Sequence, residues 1–291
     1  MLPHTFINYN YTQTHPTQTL LPIALPLSTN PLNPLQSRRP KSQNLKKPKK
    51  KKSQKKPKPS RSRVLIYTPN PDGATFRINT FTIKDQRSPH AMAISPTEFV
   101  VGWTSTDQDS SGDGVYAAIF YSNGHEKVTE FLVNDDKTND QTINSICTFP
   151  NGQFFIFFSS ANVDGSPSSV YNTIWNSLGQ NIKINFRVNT FTNYSQNNAS
   201  SYMLNDDHVV AAWQSQKQED GSTYGIYGQM FKANAQRIKS EFKINTYTTG
   251  DQTSPNIIGL SDTNFVVLYN SQDADGEGIL GQKFDLKGEK V

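Results

Sequence analysis

The chain is predicted to be an all-β repeat protein: four copies of one four-stranded antiparallel unit behind a basic, disordered arm. Three observations predict this. A signature, Phe-x-Ile/Val-Asn, recurs at Phe76, Phe131, Phe186 and Phe242, at intervals of 55, 55 and 56 residues. Other series keep the same step: Gln86, Gln141, Gln196 and Gln252; Trp103, Phe158, Trp213 and Tyr269; and Ser105, Ser160, Ser215 and Ser271. No window carries a 3.6-residue apolar period, so few helices are expected. Self-similarity at a fixed step of this kind marks a repeat architecture.

The arm comes first, over residues 1–63. It contains no Asp or Glu, and its 14 Lys and Arg all lie between Arg38 and Arg63. The remainder, 64–291, holds 15 basic and 24 acidic residues, a net charge of −9, so the whole-chain +5 describes neither part. Lys46, Lys47, Lys49, Lys50, Lys51, Lys52, Lys55, Lys56 and Lys58 repel one another, and the intervening prolines remove backbone donors. Too little apolar surface remains to offset chain entropy, which predicts disorder. The run from Leu20 to Leu27 is too short and too proline-broken to span a membrane. It also lacks the preceding positive charge of a secretory signal. A lone cysteine, Cys147, excludes an internal disulfide framework. It stands where other copies have Met92, Tyr202 and Ile258, and reads as a small core residue.

Each unit offers four strands, with repeats at about 76–130, 131–185, 186–241 and 242–291. In the first full copy the strands are predicted at Ser88 to Ser95, Glu98 to Ser105 and Gly114 to Tyr121, with a fourth running through Phe131-Leu132-Val133-Asn134. Asn123-Gly124 suits a tight hairpin, because both residues readily take positive φ. The second strand is apolar at successive positions, as in Phe154-Phe155-Ile156-Phe157-Phe158. Successive side chains point to opposite faces, so both faces must be covered. The fourth strand alternates, with Phe242 and Ile244 on one face and Lys243 and Asn245 on the other, as an outer strand with one wet side would. Sandwiched inner strands and a half-wet outer strand predict a propeller of four blades. The last copy stops before its own Phe-x-Ile/Val-Asn strand and the first opens with an extra one. Ring closure by the Phe76 strand is therefore expected, with an open-edged array as the alternative.

The stretch Glu241-Phe242-Lys243-Ile244-Asn245-Thr246-Tyr247-Thr248-Thr249-Gly250-Asp251-Gln252, then Phe265-Val266-Val267 and an Asp/Gly loop, resembles a known repeat of about fifty residues; Gly225-Ile226-Tyr227-Gly228-Gln229-Met230-Phe231 in the preceding copy belongs to the same pattern. That repeat occurs in large bacterial surface and secreted proteins, often beside calcium-binding haemolysin-type modules, and in ciliate proteins. The resemblance spans 76–291 and departs most in the second copy, where Ser169 replaces the Gly before Val170-Tyr171. It implies an exported, non-enzymatic, adhesion-type role and brings no ligand residues with it.

Candidate sites are few. The loops between second and third strands are acidic, with Asp107, Asp109 and Asp113 in the first copy and Asp273, Asp275 and Glu277 in the last. Clustered carboxylates on a Gly-bent loop are what calcium requires, although Asp and Gly are also ordinary turn residues. The recurring Gln either satisfies backbone groups at a blade corner or, with Asp85, Asp140 and Asp251, lines one pocket per blade. The lysine run of the arm suits phosphates, whether of nucleic acid or anionic lipid, or a nuclear import signal; it also suits a solvated linker. Three functional readings follow. The leading one is a non-enzymatic surface module, extracellular by resemblance, that binds a protein or glycan through propeller loops. The second is a nuclear or cytoplasmic scaffold whose arm engages nucleic acid or membrane. The third is a propeller glycoside hydrolase, which requires a pair of placed carboxylates that the sequence does not single out.

Overall fold

The computed structural model describes residues 75–291 except 164, 219–222, 262 and 274–275. The arm and its expected disorder lie outside the described residues. So do all the lysines expected to meet phosphates there: Lys46, Lys47, Lys49, Lys50, Lys51, Lys52, Lys55, Lys56 and Lys58.

The body is a β-propeller of four blades, and no helix occurs among the described residues. Blade 1 comprises β1 (Gln86–Ser95), β2 (Glu98–Thr106), β3 (Asp113–Tyr121) and β4 (Glu126–Leu132). Blade 2 comprises β5 (Gln141–Thr148), β6 (Gln153–Ser160), β7 (Ser169–Asn176) and β8 (Asn181–Arg187). Blade 3 comprises β9 (Gln196–Asn205), β10 (His208–Gln216), β11 (Tyr224–Lys232) and β12 (Arg237–Lys243). Blade 4 has three strands, β13 (Gln252–Ser261), β14 (Asn264–Asp273) and β15 (Gly276–Asp285). Every neighbouring pair is antiparallel and sequential. The β3–β4 connection is the expected hairpin, with Gly124 at φ 81° and its N–H on Tyr121 O.

The apolar second strands do what their sequence requires. One face of blade 1 meets blade 2 through Val100, Val115 and Ile119 against Phe154, Ile156 and Phe158. Blades 2 and 3 bury Phe155, Phe157 and Ile174 against Val209, Ala211 and Trp213. Blades 3 and 4 bury Val210, Ala212 and Met230 against Phe265, Val267 and Tyr269. The far face of blade 1, with Trp103 and Phe120, is packed against Phe76 and Ile78.

Two expectations need correction. The fourth apolar strand is covered on one side only: Phe265 and Val267 are fully buried while Leu268 is 42% exposed. Nor is the ring closed by a Phe76 strand. Residues 76–79 form no strand, and the sheet of blade 4 ends at β15, whose outer side takes up only the isolated Phe284–Lys290 bridge among the described residues. Phe76 and Ile78 pack on blade 1, but no main-chain pairing joins them to β15 among the described residues.

Candidate functional site: a polar cleft between blades 2 and 3

The inner strands carry an irregularity that alternation along the sequence does not reveal. The β9–β10 register shifts between Ala212 and Gln214, with Asn198 at φ 55°. Ser88 in β1 and Ser254 in β13 take φ 54° and 55° at the same repeat position, and β5 shifts between Ile143 and Ser145. A bulge re-aims side chains and can set consecutive residues toward one side. In β9 it does so, and Asn197 and Asn198 both face a cleft of about 390 Å³. Asp140, Thr142 and Asn144 line the opposite wall, with Gln214 beside Asn198.

The cleft is held by side chains as well as strands. Ser159 Oγ donates to Asn144 Oδ1 at 2.7 Å. Asn198 Nδ2 donates to Gln214 Oε1 and to Ser254 Oγ, both at 3.4 Å, and Ser254 N donates to the same Gln214 oxygen at 3.2 Å. Asp140 Oδ1 accepts the N–H of Asp113 at 3.1 Å, and its counterpart Asp251 accepts that of Tyr224 at the same distance. Asn197 Oδ1 differs from all of these, because it is buried and accepts no hydrogen bond among the described residues. Buried polar atoms in folded proteins nearly always have a partner, so such an atom on a cleft wall is a waiting acceptor.

The sequence-predicted metal residues are dispersed. Asp113 is ion-paired with Arg87 and accepts Thr106 Oγ1 at 2.7 Å. Asp107 lies 3.8 Å from Lys84 Nζ. Asp109 Oδ1 caps the N–H of Ser111 at 3.1 Å, while its Oδ2 is buried without a partner. Glu277 accepts Asn270 Nδ2 at 2.8 Å on the surface. Asp275 and the side chain of Asp273 lie outside the described residues. Among the described residues no three His, Cys, Asp or Glu side chains come together as a metal-binding group. No helix among them is long and apolar enough to cross a membrane.

The recurring Gln takes the corner role. Gln141, Gln196 and Gln252 are fully buried and donate to the main-chain oxygens of Thr138, Asn193 and Thr249 at 2.6, 2.7 and 3.2 Å. The cleft residues Asn197, Asn198 and Gln214 were not legible as a site. The one available signal was the polar residue two places after the Gln in three copies, Ser88, Asn198 and Ser254.

No protein-family model matches the chain, and no curated protein is similar to it in sequence. Several solved structures are similar to it in fold. A thermostable family-43 glycoside hydrolase has 10% identity and a TM-score of 0.47, over 70% of this chain and 73% of that one. An endo-arabinase from Bacteroides thetaiotaomicron has 11% identity and a TM-score of 0.47, over 72% and 78%. An α-L-arabinofuranosidase from Fusarium graminearum has 9% identity and a TM-score of 0.49, over 70% and 64%. The expectation of a non-enzymatic adhesion-type module is corrected on this finding, since the similar structures include a glycoside hydrolase, an endo-arabinase and an α-L-arabinofuranosidase. At such identities no residue role or substrate passes from them to this chain.

Proposed function

We propose that the β body acts on a carbohydrate, as a glycoside hydrolase whose substrate lies in the cleft between β5 and β9. The observation that supports this best is the unpartnered, buried Asn197 Oδ1 on a wall facing Asp140. A sugar hydroxyl both donates and accepts, and would satisfy that oxygen while meeting the neighbouring amides and hydroxyls of Asn144, Thr142 and Asn198. A polar lining that holds a carboxylate and no cation suits a polyol better than a phosphate or a peptide carboxylate, which call for cations.

Cleavage needs one carboxyl to protonate the leaving oxygen and a second to activate water or attack the anomeric carbon. Asp140 is the carboxylate of the cleft wall and takes one of these two roles. Full-length protein is to be assayed for release of reducing sugar from a glycoside panel that includes arabinofuranosides and arabinan. Turnover should fall by about 100-fold or more in Asp140→Asn, a change that keeps an acceptor for the Asp113 N–H and hence the fold. A panel with no turnover and no saccharide-induced rise in melting temperature would remove the reading.

A further inference from the structure

At each of the three junctions between blades, the Asn after the outer strand locks that strand to the third strand of its own blade. Asn134 Oδ1 accepts Val115 N at 2.7 Å, Asn189 Oδ1 accepts Val170 N at 2.8 Å, and Asn245 Oδ1 accepts Ile226 N at 2.8 Å. In each case the residue before the Asn also pairs by main chain, as Val133 N does with Val115 O at 2.8 Å. Val115, Val170 and Ile226 are all completely buried.

Blade 4 presents the same edge without its lock. Ile279 occupies the place of Val115, Val170 and Ile226 in its blade, yet it is 76% exposed. Leu268, Ile258 and Leu260 of that blade are 42%, 50% and 56% exposed. The strand that would cover such a face exists, at the other end of the stack. Asn79 Nδ2 donates to Phe81 O at 2.5 Å and Gln86 Oε1 at 3.0 Å, as Asn134 does to Asp136 O at 2.7 Å and Gln141 Oε1 at 3.0 Å. Thr80 N donates to Glu130 Oε2 at 2.7 Å, as Thr190 N does to Glu241 Oε2 at 2.6 Å. Residues 76–80 thus sit on blade 1 as the outer strand of a blade that should precede it. No main-chain N–H donates to Asn79 Oδ1 among the described residues, in contrast to its three counterparts.

We propose that the open face of blade 4 docks blade 1 of a second copy of the chain, whose Phe76–Asn79 segment becomes its fourth strand and whose Asn79 locks onto Ile279 N–H. A second copy fits better than closure within one chain. The three formed junctions are close-packed, with locks that agree to 0.1 Å, and they leave both half-sites unjoined. Joining them intramolecularly would require repacking cores that hold their shape tightly, whereas a second copy requires none. The contact is head-to-tail, so it propagates until a ring of copies closes or a filament forms.

The test uses the full-length chain in sedimentation equilibrium from about 1 to 100 µM. Mass should rise with concentration beyond a dimer. Leu268→Lys with Ile279→Lys blocks one half-site and Asn79→Ala weakens the other, so each variant alone should be monomeric with an unchanged β-sheet spectrum. Mixed together, the two variants each keep one intact half-site, and should form a 1:1 dimer that grows no further. A wild-type monomer across the range would overturn the proposal. So would assembly that survives the double lysine change, or variants that fail to pair when mixed. A monomer whose Ile279 amide is protected from hydrogen exchange would replace it with closure inside one chain.

Discussion

Asn134 bonds Val115 across 19 residues, its Oδ1 accepting the Val115 N–H at 2.7 Å within the buried seam between blades 1 and 2. The same side chain donates to Gln141 Oε1 at 3.0 Å and to Asp136 O at 2.7 Å. One amide therefore joins the outer strand of one blade to the inner strand of the next. Asn134→Ala strands a buried N–H and a buried Gln oxygen together. A loss of about 2–4 kcal/mol is expected in urea unfolding, since each unsatisfied buried group costs about 1–3 kcal/mol. Asn134→Asp keeps the acceptor and loses the donor, and should fall between alanine and wild type.

A second prediction concerns the hairpin between third and fourth strands. Gly124 and Gly179 take φ 81° and 69° there, and Gly288 takes 73° in the turn after β15, whereas blade 3 places Ala235 at φ 65°. A residue with a Cβ is strained in this region by about 1–2 kcal/mol. Ala235→Gly relieves the strain but loosens the unfolded chain and gives up a buried methyl. The balance should be a small gain, about 0.5 kcal/mol, read as a higher denaturation midpoint at unchanged slope. A loss above about 1 kcal/mol would mean that the methyl contact outweighs the backbone term.

Which features the sequence disclosed follows from what a one-dimensional period can encode. Phe131, Gln141 and Phe158 recur because blades 1 to 3 repeat the same lock and the same sandwiched strand, so the unit, its four strands there and the hairpin at Gly124 were legible. The bulges at Ser88, Asn198 and Ser254 were not, because an inserted residue changes facing without changing composition. The cleft was illegible for a related reason: Asp140 and Asn197 come from different blades and meet only through junction geometry. Ile279 also could not be distinguished from Val115 or Ile226 by residue type. What sets it apart is the absence of a covering blade, a property of the assembled stack rather than of the residue.

Alkaline stability should depend on two buried protons. Burial pushes the Cys147 thiol up to about 12, although Ser201 and the Phe155 main chain hydrogen-bond to it and pull the other way. Burial also raises Tyr116 to about 12, aided by the negative charges of Asp109 and Glu130. In the unfolded chain these groups ionise near 9 and 10. Between those values and about 12 the folded state holds protons that the unfolded state has released, so stability is intact below pH 9 and is lost as pH climbs toward 12. Urea unfolding of wild type and Cys147→Ala at rising pH should show a shallower decline in the variant. The thiol should also resist disulfide reagents in the native state at neutral pH and react on unfolding.

Two ion pairs of similar appearance should behave differently. Lys127 Nζ meets Glu98 Oε1 at 2.6 Å with side chains 14% and 17% exposed, tying β4 to the start of β2. Lys239 meets Glu289 at 3.2 Å, but those side chains are 54% and 65% exposed. Water and salt screen the second pair, which should contribute at most about 0.5 kcal/mol. Glu98→Gln instead leaves the Lys127 ammonium mostly desolvated with only a neutral amide, a cost of about 1–3 kcal/mol. Removing both partners, Glu98→Gln with Lys127→Met, should recover most of that loss, because no uncompensated charge remains and the methionine keeps the packing of the lysine stem. A double-mutant cycle at low and high salt separates the cases: the Glu98–Lys127 coupling should persist in about 1 M salt while the Lys239–Glu289 coupling vanishes. Equal salt sensitivity of the two would show that the Glu98–Lys127 pair is solvated despite its burial.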